Sequence, residues 1–227
     1  MIFIWISNNF IEIFGAVTGI IFVFLEIRQT IWLWPVGLVT SAVYIWVFFT
    51  SKFYADMSLQ GYYLVISCLG WYWWTRGKKR RLRSKATKFR EAEGGDVEKL
   101  RIEETETKEL QVTRLKLSTG IMLALVFFLL YIIMWFVLTR LTDSPVPVRD
   151  SFITSLSIVA TWMLARKIYE HWFLWIVVNF VSMALFIIKG LYPTVILYAI
   201  YGIMSFAGLK AWKKTIRIIL PESNDKR

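Results

Sequence analysis

The residues best placed to do chemistry lie in the stretch Glu170-His171-Trp172-Phe173-Leu174-Trp175-Ile176-Val177-Val178-Asn179. On a helix, Trp172, Trp175 and Asn179 fall at i, i+3 and i+7 and share one face. Two indoles and an amide on one stripe make a floor for a flat heterocycle that carries hydrogen-bonding substituents. The structural alternative is a tryptophan anchored at the membrane interface and an asparagine bonded to a neighbouring helix. An amide in mid-span is costly unless it is used, and this weights Asn179 toward function.

A matching face lies 138 residues earlier, at Trp34-Pro35-Val36-Gly37. Pro35 is expected to loosen that helix, and Gly37 to leave space where Trp175 stands in the other half. Gln60 falls about one helical turn inside its span and has Tyr198 as its counterpart. This pair suits a gate or a hydrogen bond to a substrate, and equally suits contact between helices. Gly15 and Gly19 have the small-xxx-small spacing that lets helices approach closely.

Several chemistries are excluded by what the chain lacks. Cys68 is the single thiol and His171 the single imidazole. An intrachain disulfide, a Cys/His metal cluster and Cys–His catalysis are therefore ruled out. There is no Gly-rich phosphate loop, and the expectation is a protein without cofactor, metal or enzymatic activity. Glu12, Glu26, Asp56, Asp150 and Glu170 all fall near span ends, so no deep carboxylate offers a proton or sodium relay. Facilitated diffusion by alternating access is the simplest mechanism left.

The elements that must position these residues follow from composition. The chain is 57% hydrophobic and 17% aromatic, with a mean hydropathy of +0.53, more apolar surface than a soluble domain can hide. A crossing helix needs about 20 mostly apolar residues. That rule gives spans near 9–27, 31–50, 57–75, 118–139, 150–166, 169–189 and 191–212. The fifth carries Ser151, Thr154, Ser155, Ser157 and Thr161, and is expected to be enclosed by protein rather than lipid. Retained in the chain, the first span is read as a helix and not as a cleaved leader.

The net charge of +11 is chiefly an orientation signal. Segment 76–117 opens on Arg76, Lys78, Lys79, Arg80 and Arg81 and is expected to be a charged cytoplasmic loop, partly helical. With that loop inside, 23 of the 27 Lys and Arg residues lie on the inner side and four on the outer. The N-terminus is then outside and the C-terminus, with the tail 213–227, in the cytoplasm. Basic residues beside spans are explained by topology, so no nucleic-acid partner is expected.

Sliding the sequence on itself aligns Phe14 with Phe152, Arg28 with Arg166, Trp34 with Trp172, Tyr63 with Tyr201, Gly70 with Gly208 and Trp74 with Trp212. The fold class expected is an all-α integral membrane protein, seven helices in a 3+1+3 arrangement. Two parallel three-helix repeats, 9–75 and 150–212, flank a linker helix at 118–139. Parallel repeats of this kind place a substrate near the midplane at their interface.

The runs Glu12-Ile13-Phe14-Gly15, Trp34-Pro35-Val36-Gly37, Tyr54-Ala55-Asp56, Leu59-Gln60, Gly70-Trp71-Tyr72-x-Trp74, Arg166-Lys167, Trp172-x-x-Trp175-x-x-x-Asn179 and Lys189-Gly190-Leu191-Tyr192 resemble the PnuC family of bacterial vitamin transporters. The resemblance covers both triplets. It implies a fold like that of the SWEET sugar transporters, a bacterial inner-membrane location, and import of nicotinamide riboside trapped by phosphorylation in the cytoplasm. Relatives carry thiamine, which is the alternative substrate. A homo-oligomer, a trimer, is implied by resemblance alone. The substrate-binding set it implies is Trp172, Trp175 and Asn179, with Trp34, Gln60 and Tyr198 as further candidates. Both vitamins present a cationic aromatic ring, which aromatic faces hold by roughly 0.5–2 kcal/mol per contact. A reading from another class is a non-transporting membrane protein whose basic loop binds lipid or a partner.

Overall fold

The computed structural model describes residues 10–50, 54–91, 111–141, 146–188, 190 and 192–219. Residue 9, the middle of the charged segment (92–110) and the end of the tail (220–227) lie outside the described residues. Seven helices are described: α1 (Phe10–Ile27), α2 (Leu33–Thr50), α3 (Tyr54–Glu91), α4 (Leu117–Arg140), α5 (Pro147–Ala165), α6 (His171–Ile188) and α7 (Tyr192–Ile219). Their ends fall close to the spans read from hydropathy except at α3 and α7, which run on past the apolar stretch. α3 has 38 residues, about 57 Å at the standard helical rise, and so outreaches a hydrocarbon core of about 30 Å. Its basic run is helical through Glu91 because Lys and Arg are good helix formers.

Among the described residues, 117–140, 171–188 and 192–216 are long and apolar enough to cross a membrane by themselves. α4 and α5 divide the two environments as their sequences require. α4 is almost wholly apolar, and Leu123 alone is buried along it. α5 buries Ser151, Ser155, Ser157, Thr161 and five apolar side chains. The hydroxyl-rich helix is thus inside the protein, and Ser151 and Thr161 return their hydroxyls to the carbonyls of Pro147 and Ser157. α5 starts cleanly because Pro147 occupies its first turn with Asp150 behind it.

Helix contacts recur at the 138-residue offset. α2 packs on α3 as α6 packs on α7, α1 on α2 as α5 on α6, and α1 meets α7 as α5 meets α3. α4 packs against α5. The turns that end α1 and α5 match atom for atom. Thr30 N–H donates to Leu25 and Gln29 N–H to Glu26; in the second turn Ile168 N–H donates to Met163 and Lys167 N–H to Leu164. These are Schellman caps, whose left-handed residue is usually glycine. Here Gln29 (φ 55°) and Lys167 (φ 52°) fill that role. Side chains follow: Arg28 lies 5.2 Å over the Phe24 ring, and Arg166 5.9 Å over Trp162.

The core centres on two copies of one motif. Trp34 presses its six-membered ring onto Gly70, and Trp172 does the same onto Gly208. Glycine is required at both positions because a Cβ would overlap the ring. Trp74 stands edge-on to Trp34 at 5.3 Å, and Trp212 edge-on to Trp172 at 5.9 Å. Each of these partner indoles then reaches across to the other half. Trp74 Nε1 donates to the carbonyl of Ala165 at 3.1 Å, and Trp212 Nε1 to that of Glu26 at 3.1 Å.

Two expectations for the first half are corrected. Pro35 sits in the first turn of α2, where its missing N–H is not needed, and the helix continues to Thr50. Gly37 opens no space, because a Cβ there would meet Ser67 Oγ at 2.9 Å and the Phe22 ring at 3.1 Å. Gly15 and Gly19 do serve packing: they receive the hydroxyls of Tyr44 and Tyr201, from α2 and α7.

Candidate functional site

The stripe on α6 divides into two parts. Trp172 is completely buried, held among Gly208, Trp212 and His171. Trp34 is equally buried at the matching place. Trp175 and Asn179 lie further along α6. Asn179 is buried and donates Nδ2 to Ser205 Oγ at 3.1 Å, and Ser205 passes its own hydroxyl to Tyr201 O. Ser41 and Ser67 are the buried counterparts of Asn179 and Ser205 in the first half.

Asn179 and Tyr198 meet at a cavity of 220 Å³ between α6 and α7, walled also by Phe180, Met183, Gly202 and Phe206. The volume is below the roughly 300–1,000 Å³ of ordinary ligand sites, and the wall is nearly all apolar. Phe180, Ile203 and Phe206 on its wall are exposed, so it is a shallow seam on the outer face of the helix pair. Gln60, on α3, is half-buried; among the described residues no hydrogen bond joins it to the α6 stripe.

A group of phenols joins the two halves nearer the centre. Tyr63 of α3 lies near Ser157 of α5 and Tyr198 of α7. Tyr198 is 5.8 Å from Tyr201 and 5.2 Å from Phe186. Tyr62 donates to the carbonyl of Ile158 at 2.7 Å. Tyr201 follows Tyr198 by three residues on one helix, which makes them neighbours, whereas no spacing in the sequence joins Tyr63, on another helix, to Tyr198.

Among the described residues, no hydrogen-bond partner reaches Nε1 of Trp34, Trp172 and Trp175, or the hydroxyls of Thr40 and Ser155. Burying such a group unpaired costs about 1–3 kcal/mol. Three indole donors on α2 and α6 are thus left unpaired among the described residues.

At the opposite end of α6 lies a pair that the sequence gave no reason to join. His171 Nε2 is 3.0 Å from Glu26 Oε1, with both side chains buried. His171 Nδ1 lies 2.6 Å from Ile168 O, which can only accept, so this nitrogen is the donor of that bond. Glu26 does end its helix, as expected, yet it is buried.

Beside this pair, residues 111–116 strap the α5–α6 turn. Thr113 N–H donates to Lys167 O and Tyr169 N–H to Thr113 O, each at 2.9 Å. Leu115 N–H donates to Glu170 Oε2 at 2.8 Å, and Val112 enters the tryptophan core. Burial raises the phenol pKa of Tyr169 in this turn, with Glu170 adding to the rise.

Residues 9–214 match the nicotinamide mononucleotide transporter family. The chain belongs to that family. It is accordingly a membrane transporter and not an enzyme. Members of similar sequence include the nicotinamide riboside transporter PnuC of Escherichia coli, 25% identical over 92% of this chain and 87% of the relative. The riboflavin/roseoflavin transporter RibM of Streptomyces davaonensis is also 25% identical, over 88% of this chain and 83% of the relative. The crystal structure of the vitamin B3 transporter PnuC superimposes with a TM-score of 0.66 at 22% identity, covering 96% of this chain and 86% of that one. Family and apolar helices together make this a multi-pass protein of the bacterial inner membrane.

Proposed function

We propose that this chain imports nicotinamide riboside, and that the site comprises Trp172, Trp175 and Asn179 with Trp34, Gln60 and Tyr198. The observation that carries the site is the set of partnerless indole donors on Trp34, Trp172 and Trp175. Donors of this kind meet the ribosyl and carboxamide oxygens, while their ring faces hold the cationic ring. Trp172 is too deeply packed to stack a ligand broadly as it stands, so its part is to offer an edge and to set the position of Trp175.

Movement is by facilitated diffusion, with one three-helix unit rocking against the other and cytoplasmic phosphorylation holding the vitamin inside. The matched contacts at the 138-residue offset support two such units in a 3+1+3 order. The basic end of α3 and the inner count of Lys and Arg support an outside N-terminus and a cytoplasmic C-terminus.

Riboflavin is the second substrate to weigh, on the RibM likeness, and thiamine is the third. Calorimetric binding to purified protein, with uptake into proteoliposomes, separates the three. Nicotinamide riboside should bind and exchange across the bilayer without an imposed ion gradient. Binding of riboflavin or thiamine in its place would replace the substrate, and a strict need for a proton or sodium gradient would overturn the mechanism.

A further inference from the structure

The two halves of this protein match at turn, helix and indole, but they differ where α1 meets α6. Glu26 and His171 have Leu164 and Leu33 as their counterparts in the duplicated frame. Those leucines are fully buried in the same tryptophan-centred core. The positions that match the hydrogen-bonded Glu–His pair are therefore apolar, and both belong to one buried cluster that spans the halves.

The difference has consequences for which junction is able to open. Separating two buried leucines exposes apolar surface to water and is opposed in proportion to the area exposed. Separating a carboxyl from an imidazole lets water replace the lost hydrogen bond, and the desolvation already imposed on both groups is recovered. A polar pair thus closes a seam with direction and register while leaving it easy to reopen. Its surroundings couple it to the transport machinery. His171 packs on Trp172 at 4.8 Å and Trp212 at 4.6 Å, and the Glu26 carbonyl holds the Trp212 indole.

We propose that Glu26 and His171 form the releasable clasp of this end of the transporter, while the apolar cluster that holds Leu33 and Leu164 is the part that stays shut. The proposal rests on the chain working as an alternating-access transporter. Its test reads the seam itself and needs no substrate, so it fails or stands independently of which vitamin is carried.

In a Cys68→Ser background, a cysteine is placed at Ile216, buried one turn beyond Trp212 on α7. Its labelling by a water-soluble maleimide is followed in detergent-solubilised full-length protein. Glu26→Gln weakens the clasp and should speed labelling by roughly fivefold or more. The double variant Glu26→Leu/His171→Leu installs the side-chain types of the matching positions. It should fold, and it should slow labelling by roughly tenfold. Proteoliposome exchange should slow with it while substrate affinity holds. Unchanged labelling in the double variant overturns the proposal, as does faster labelling with an unaltered melting temperature. If Glu26→Gln does not fold, the double variant decides alone.

Discussion

The six-membered ring of Trp172 rests on Gly208, and no side chain fits between them. The same relationship holds between Trp34 and Gly70. Gly70→Ala and Gly208→Ala should therefore each destabilise the protein, by about 1–3 kcal/mol for an added methyl in a packed core. Gly61 and Gly202 provide the contrast, since a Cβ at either meets nothing. Alanine at those two should leave stability unchanged or raise it by up to about 1 kcal/mol through helix propensity. Thermal unfolding of all four variants in detergent checks the prediction, and equal melting temperatures would contradict it.

Trp74 and Trp212 each carry one indole bond between halves. Phenylalanine at 74 keeps an aromatic ring but strands the buried carbonyl of Ala165 and should cost about 1–3 kcal/mol. Phenylalanine at 212 removes one of two donors to the Glu26 carbonyl, which keeps the Gln29 N–H, and should cost only about 0.5–1.5 kcal/mol. Trp34→Phe removes a donor that has no protein partner, so its stability cost should be smaller and its effect should fall on substrate affinity. Melting temperatures and binding isotherms of the three variants separate these outcomes.

The strap at 111–116 is held through backbone atoms, so proline is its sharpest probe. Thr113→Pro removes the N–H that reaches Lys167 O and should lower stability by about 1–3 kcal/mol. Deleting 93–108 leaves Thr113 and Glu170 in place and should leave vitamin uptake intact. Loss of uptake on that deletion would favour a protein acting through its charged segment.

Much of this fold was legible because membrane burial writes strong signals. Runs of about 20 apolar residues located the helices, and the hydroxyls of α5 announced a helix enclosed by protein. The offset linking Trp34 to Trp172 and Gly70 to Gly208 was legible too, since tryptophan and glycine rarely coincide by chance. Glu26 was not legible: a carboxylate at a helix end reads as solvated, and its partner is 145 residues away. The Gly37 reading failed for a related reason, because the space a glycine leaves is filled by whichever neighbour arrives, here Ser67 and Phe22. Left-handed turns usually carry glycine, so Gln29 and Lys167 hid two matching caps.

Asn179 is where a transport role and a packing role predict different numbers. Its Nδ2 donates to Ser205, and this bond alone would make the residue helix–helix glue. In that case Asn179→Ala and Ser205→Ala should cost similar stability, about 1 kcal/mol, with no change in affinity. If Asn179 also meets the vitamin, Asn179→Ala should weaken binding by roughly tenfold or more, since about 1.4 kcal/mol of lost interaction is a factor of ten. Ser205→Ala should then leave affinity within about threefold, because the amide stays in place on α6 and one neutral bond contributes only about 0.5–1.5 kcal/mol. Binding isotherms and melting curves for both single variants and the double variant form a complete cycle. An affinity loss that appears in Asn179→Ala and persists in the Ser205→Ala background places the amide on the substrate. Equal losses in both single variants would place it on α7 instead.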